Sequence, residues 1–129
     1  MRLLLDTQVW LWSLADPARI GPDAMKALED VDNTLILSAA SSWEISIKYR
    51  LGKLPLPSPP SEFILPRLQR DGIEALPVEH HHVCAVAELP DHHRDPFDRL
   101  LIATAQLEGL PIVTADRQFL DYEVESILT

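Results

Sequence analysis

Four short apolar runs alternate along the chain with longer segments whose apolar residues recur at helical spacing. The runs are Arg2–Leu5, Thr34–Ser38, Glu74–Val78 and Ile112–Thr114, and the tail Glu123–Leu128 offers a short fifth at an edge. Strands separated by helices pair in parallel through crossovers, so the alternation predicts an α/β fold with a mainly parallel sheet of four to five strands. The helical segments are Val9–Leu14, Ala24–Val31, Ala39–Leu51, Glu62–Arg70 in spite of Pro66, Glu79–Leu89 and Asp98–Leu107. Asp16-Pro17, the four prolines of Leu54–Pro60 and the polar stretch Pro90–Pro96 read as breaks or loops. No internal repeat divides the sequence, and 129 residues suit one domain spanning 1–129.

Two acids stand where an apolar run stops: Asp6 after Leu3-Leu4-Leu5, and Asp116 after Ile112-Val113-Thr114-Ala115. In open parallel sheets, ligands bind beyond the carboxyl ends of the strands, near the point where strand order reverses. Glu44 falls in the first turns of the helix after the second run, and Asp98 opens the helix that precedes the fourth. Both helix starts are expected at the same sheet edge. Taken singly, Asp6 and Asp116 are turn acids, Asp98 an N-cap, and Glu44 a solvated residue paired with Lys48 at i,i+4. Taken together, four converging carboxylates repel one another, and at least one is expected to hold its proton more tightly than usual. Such a set suits a hard divalent cation, Mg²⁺ or Mn²⁺, and points to phosphoryl chemistry, with one ion activating water and a second, if bound, steadying the leaving oxygen.

The formal charge of −9 argues against a module that simply coats nucleic acid. It leaves three possibilities: a different substrate, acidity gathered in a metal site that changes sign when loaded, or a basic partner protein. The N-terminal apolar run is too short for a signal-peptide core, and no stretch reaches the roughly 18–20 apolar residues of a membrane span. A cytoplasmic protein with no membrane contact is expected. Cys84, the one cysteine, sits among apolar neighbours and reads as a small packed hydrophobe. His80-His81-His82 lacks a second ligand pair at zinc spacing and reads as a solvated helix start, and His92 and His93 as surface loop residues. Trp43 and Phe97 suit core or dimer packing, and one of Trp10 and Trp12 an interface. Arg50, Lys53, Arg94, Arg99 and Arg117 are candidates for phosphate contact, the last three by proximity to the acids.

Four blocks carry a family resemblance. Leu3-Leu4-Leu5-Asp6-Thr7-Gln8-Val9-Trp10-Leu11-Trp12 resembles the opening of VapC-type PIN domains, whose strand-end aspartate is a metal ligand. Ser38 to Lys48 is similar to the second block with its glutamate, Glu44. His93 to Ala105 is similar to the third with Asp98, and Val113-Thr114-Ala115-Asp116 to the fourth with Asp116 and the hydroxyl residue Thr114. The blocks keep family order and span nearly the whole chain. The resemblance implies a three-layer α/β/α fold and an Mg²⁺- or Mn²⁺-dependent endoribonuclease toxin. It further implies a homodimer neutralised by a cognate VapB-like antitoxin. Asp6, Glu44, Asp98 and Asp116 would then be the metal-binding and catalytic residues, supported by Thr7, Asp95, Arg99 and Thr114. Asp95 has three open roles: sharing the site, capping the helix, or supporting Arg94 and Arg99. A DNA-directed PIN nuclease and a non-catalytic interaction module are the alternatives. A haloacid-dehalogenase-like phosphatase would need an acid where Gln8 stands, and a receiver module an aspartate at Val78.

Overall fold

The computed structural model describes residues 1–129. Five strands, β1 (Arg2–Leu5), β2 (Thr34–Ser38), β3 (Glu74–Leu76), β4 (Ile112–Thr114) and β5 (Ser126–Leu128), form one sheet in the order β3-β2-β1-β4-β5. Every neighbouring pair is parallel. The chain therefore moves outward from β1 through β2 to β3, then crosses back to place β4 and β5 on the other side of β1. That reversal opens a crevice at the carboxyl ends of β1 and β4.

Six helices connect the strands: α1 (Thr7–Ala15), α2 (Pro22–Glu29), α3 (Ala39–Arg50), α4 (Pro60–Asp71), α5 (His80–Ala85) and α6 (Pro96–Glu108). Side chains alternate along each strand, and here both faces are covered. Leu3, Leu5, Leu37 and Val113 pack with Val9 and Trp10 of α1, Ala24 of α2, Ile45 of α3 and Ile64 and Leu68 of α4. Leu4, Ile36 and Ile112 pack on the opposite face with Leu101, Ile102 and Ala105 of α6 and with Phe119. The result is a three-layer α/β/α arrangement. It also explains why the strands read as continuous apolar runs rather than alternating ones. No helix is long and apolar enough to cross a membrane.

Several boundaries differ from those read in the sequence. Pro60 opens α4 instead of closing a loop, because a proline at the first helical position gives up an amide with no helical partner anyway. Pro66 inside α4 is tolerated on the exposed side, where Glu62, whose carbonyl loses its partner, also meets solvent. The segment expected as one helix to Leu89 is α5 followed by a single 3-10 turn at Val86–Glu88. Helix α6 starts at Pro96, two residues before Asp98, and closes at Gly109 with φ 66°.

Candidate metal centre

Asp6 follows β1 directly, and its backbone N–H reaches the Val113 carbonyl across the crevice at 2.9 Å. Thr114, the last residue of β4, donates its hydroxyl to Asp6 Oδ2 at 2.7 Å and accepts the Asp116 N–H at 3.0 Å. One hydroxyl thus fixes the spacing of the two strand-end acids. The Thr7 hydroxyl donates to Ser41 Oγ at 2.7 Å, tying the first turn of α1 to α3, the helix that carries Glu44. Glu44 is buried. Its Oε2 accepts from Lys48 Nζ at 2.8 Å, whereas its Oε1 has no hydrogen-bond partner. On α6, Asp95 is the N-cap and accepts from the Phe97 and Asp98 N–H groups at 2.9 and 3.0 Å. Asp98 consequently sits in the first helical turn without serving as the cap.

Asp6, Glu44, Asp98 and Asp116 all line one cavity of about 290 Å³, together with Thr7, Lys48 and Asp95. At its edge His93, which does not line the cavity, brings a ring nitrogen and the oxygens of Asp98 and Asp116 within 4.8 Å of one another. Burial raises the pKa of Asp6, with the Glu44 and Asp116 charges adding to the shift and the Thr114 hydrogen bond opposing it. Asp98 is pushed up to about 8, first by burial and then by the charges of Asp6, Asp95, Glu44 and Asp116. Lys48 is raised by its hydrogen bond to Glu44. A buried carboxylate oxygen without a donor costs free energy, as does crowding of like charges. Both costs are relieved by a cation, and an all-oxygen carboxylate set suits Mg²⁺ or Mn²⁺.

The PIN-domain family profile matches residues 3–125. The chain belongs to that family. Ribonuclease VapC22 of Mycobacterium tuberculosis is 30% identical over 119 residues, covering 90% of this PIN domain and 88% of that protein. Ribonuclease VapC16 of the same organism is 46% identical over 68 residues, and there the match spans only 48% of the relative's length. These relatives make it a PIN domain of the VapC type. The fold is shared with VapBC2 of Rickettsia felis, solved bound to a promoter DNA fragment (TM-score 0.74, 17% identity, 100% of this chain and 99% of that one). It is shared also with the DNA-bound VapBC of Salmonella typhimurium (TM-score 0.71, 14% identity, 98% and 97% covered).

Within this PIN domain several residues stand elsewhere than expected. Arg99 is not on the cavity wall. Its guanidinium donates to the carbonyls of Pro90 (3.0 Å), His93 (3.2 Å), Val86 (3.1 Å) and Leu89 (3.4 Å), so it fastens the preceding loop. Arg94 and Arg117 are exposed and do not line the cavity. Asp95 both caps α6 and lines the cavity. Cys84 is exposed rather than packed. Trp10 is the core tryptophan, while Trp12 carries Arg19 at 4.5 Å from its ring centroid. Trp43 is 61% exposed and meets Phe97 edge-on at 5.1 Å.

The histidines hold the largest surprises. His82 is buried: Nδ1 accepts the Glu79 N–H at 3.0 Å and Nε2 donates to Glu108 Oε1 at 2.7 Å. Although His81, His82 and Glu108 bring donor atoms together, His82 has both nitrogens committed, which leaves no lone pair for a metal. His93, expected as a surface loop residue, puts Nε2 2.8 Å from Asp116 Oδ2. No spacing rule links a loop histidine to an acid 23 positions later, so the sequence held no signal for this contact.

Proposed function

We propose that this PIN domain is a Mg²⁺- or Mn²⁺-dependent endoribonuclease toxin. In this reading it hydrolyses RNA phosphodiester bonds, acts as a cytoplasmic homodimer and is silenced by a VapB-like antitoxin. The observation that carries the reading is the ring of Asp6, Glu44, Asp98 and Asp116 around one cavity at the sheet's switch point, with one Glu44 oxygen left unpartnered. The ribonuclease names of the two relatives supply the reaction class, and the VapBC complexes supply the kind of partner.

The four carboxylates would hold the cation. When bound, it supplies a water of lowered pKa and neutralises charge on the phosphate. The chain's own groups prepare that event. Thr114 restrains one oxygen of Asp6, and Lys48 restrains one oxygen of Glu44. Lys48 also sets a positive charge on the cavity wall, where it would favour an anionic phosphate. Asp98, pushed up to about 8 by burial and the neighbouring acids, would release its proton to serve as a ligand, which would couple metal uptake to pH. Cations held in the cavity would offset part of the −9 charge, and a basic antitoxin segment would do the same.

The test is incubation of the purified chain with RNA and Mg²⁺ or Mn²⁺, with mapping of the cut ends. Cleavage is expected to need the metal, to leave 5′-phosphate ends, and to vanish in Asp6→Asn and Asp98→Asn. Cleavage that survives chelation, or that persists in both variants, overturns the reading. Preference for DNA would favour the DNA-directed alternative, and absence of Mn²⁺ binding near neutral pH the non-catalytic one.

A further inference from the structure

The loop that enters α6 is fastened on both sides of one residue. The Tyr122 hydroxyl accepts the N–H of His92 (3.1 Å) and of His93 (2.8 Å) and donates to the Pro90 carbonyl (2.8 Å). Arg99 takes the His93 carbonyl at 3.2 Å. Backbone freedom at His93 is therefore removed by groups that lie outside the cavity. The ring is equally constrained. Nδ1 accepts the Asp95 N–H at 3.2 Å, which makes Nε2 the protonated nitrogen of the neutral imidazole. Nε2 donates to Asp116 Oδ2 at 2.8 Å and lies 3.0 Å from Asp98 Oδ2. The other Asp116 oxygen accepts the Gln118 N–H at 2.9 Å.

We propose that His93 is a positioning residue of the carboxylate site: its Nε2–H holds Asp116 beside Asp98, and the Tyr122–Arg99 clamp holds the ring. The proposal rests on the metal-site reading above, since its purpose is to arrange carboxylates that come from a helix and from a strand end. Direct ligation by Nε2 would require the proton to sit on Nδ1, facing the Asp95 N–H. The ring is thus set as a donor to ligands, the role outer groups play around metal sites, where their loss weakens binding by about 10–100-fold.

Two measurements test this. The first is nitrogen NMR of the histidine rings in the metal-free wild-type chain above neutral pH. The Nε2-protonated form of His93 is expected, with a slowly exchanging ring proton that exchanges faster in Tyr122→Phe. An Nδ1-protonated ring overturns the proposal. The second is Mn²⁺ titration by calorimetry and by electron paramagnetic resonance. His93→Ala should weaken Mn²⁺ binding by about 10–100-fold, with cleavage recovering at saturating metal. His93→Gln, which keeps an N–H donor, should recover part of the loss, and Tyr122→Phe should show a smaller loss of the same kind. Unchanged affinity in His93→Ala overturns the proposal. Equal loss in Ala and Gln, with imidazole nitrogen coupling to bound Mn²⁺, overturns it in favour of a ligand role. If the wild type neither binds Mn²⁺ nor cleaves RNA, the ribonuclease reading has failed. The ring-proton measurement still decides the His93 contact on its own.

Discussion

A histidine from outside helix α6 meets a carboxylate at each of its ends, and the two clusters behave in opposite ways. At its C-terminal end, His82 donates to Glu108, and that hydrogen bond, backed by the histidine neighbours, lowers the Glu108 pKa. At its N-terminal end, burial and four neighbouring acids push Asp98 up to about 8. The helix dipole alone would do the reverse, favouring a carboxylate at the N-terminus by about 0.3–1 kcal/mol. Local neighbours overrule it at both ends. One cluster is a stability device in which both ring nitrogens of His82 are committed. The other is electrostatically frustrated, and perturbed carboxylates of this kind mark it as a candidate functional site.

The comparison breaks most visibly in activity. Asp98→Asn should cut RNA cleavage by about a thousandfold, the equivalent of several kcal/mol of lost charge stabilisation. Glu108→Gln should leave the rate unchanged in the same assay. If Glu108→Gln proved as damaging as Asp98→Asn, the two ends would not differ in kind.

The next effect is pH-dependent stability, measured by denaturant unfolding of the metal-free chain. The Asp98 pKa in the folded state lies above its unfolded value of 3.8. Between the two values the native state binds the extra proton, so stability falls as pH rises from about 4 to about 8, at up to roughly 1.4 kcal/mol per unit. Asp98→Asn should flatten that slope and raise stability at neutral pH. Glu108 has the opposite sign: its lowered pKa gives stability that is present above the unfolded value and is lost as pH falls through the folded one. Saturating Mn²⁺ should add about 2.7 kcal/mol at a hundred times its dissociation constant. That gain should disappear in Asp98→Asn and persist in His82→Ala.

The smallest effect belongs to the finished cluster. His82→Ala leaves the Glu79 N–H without its acceptor and should cost about 1–3 kcal/mol in unfolding free energy while sparing cleavage. A variant as stable as the wild type would show that the capping contacts contribute nothing.

The parallel sheet is legible from apolar runs alternating with helices, and the shared cavity of the four acids from two of them ending such runs and two opening the helices at the same edge. The start of α6 is hidden in the sequence because Asp95-Pro96 reads as a breaker, whereas it is an N-cap followed by a first-turn proline. Sequence proximity to Asp98 points Arg99 toward the cavity, yet adjacent helical residues diverge by about 100° around the axis. The same rotation places Cys84 in solvent while His82, two positions earlier, is buried. The partners of His82 and His93 lie 26 and 23 residues further on, across tertiary contacts that no periodicity encodes.

The Thr114 hydroxyl that meets Asp6 comes from a residue 108 positions downstream. A ribosome working at about 5–20 residues per second needs roughly 5–20 seconds between releasing the two. During that interval the nascent polypeptide carries Asp6 without Asp116, so a translation product ending before β4 lacks both the Thr114 hydroxyl and part of the carboxylate set.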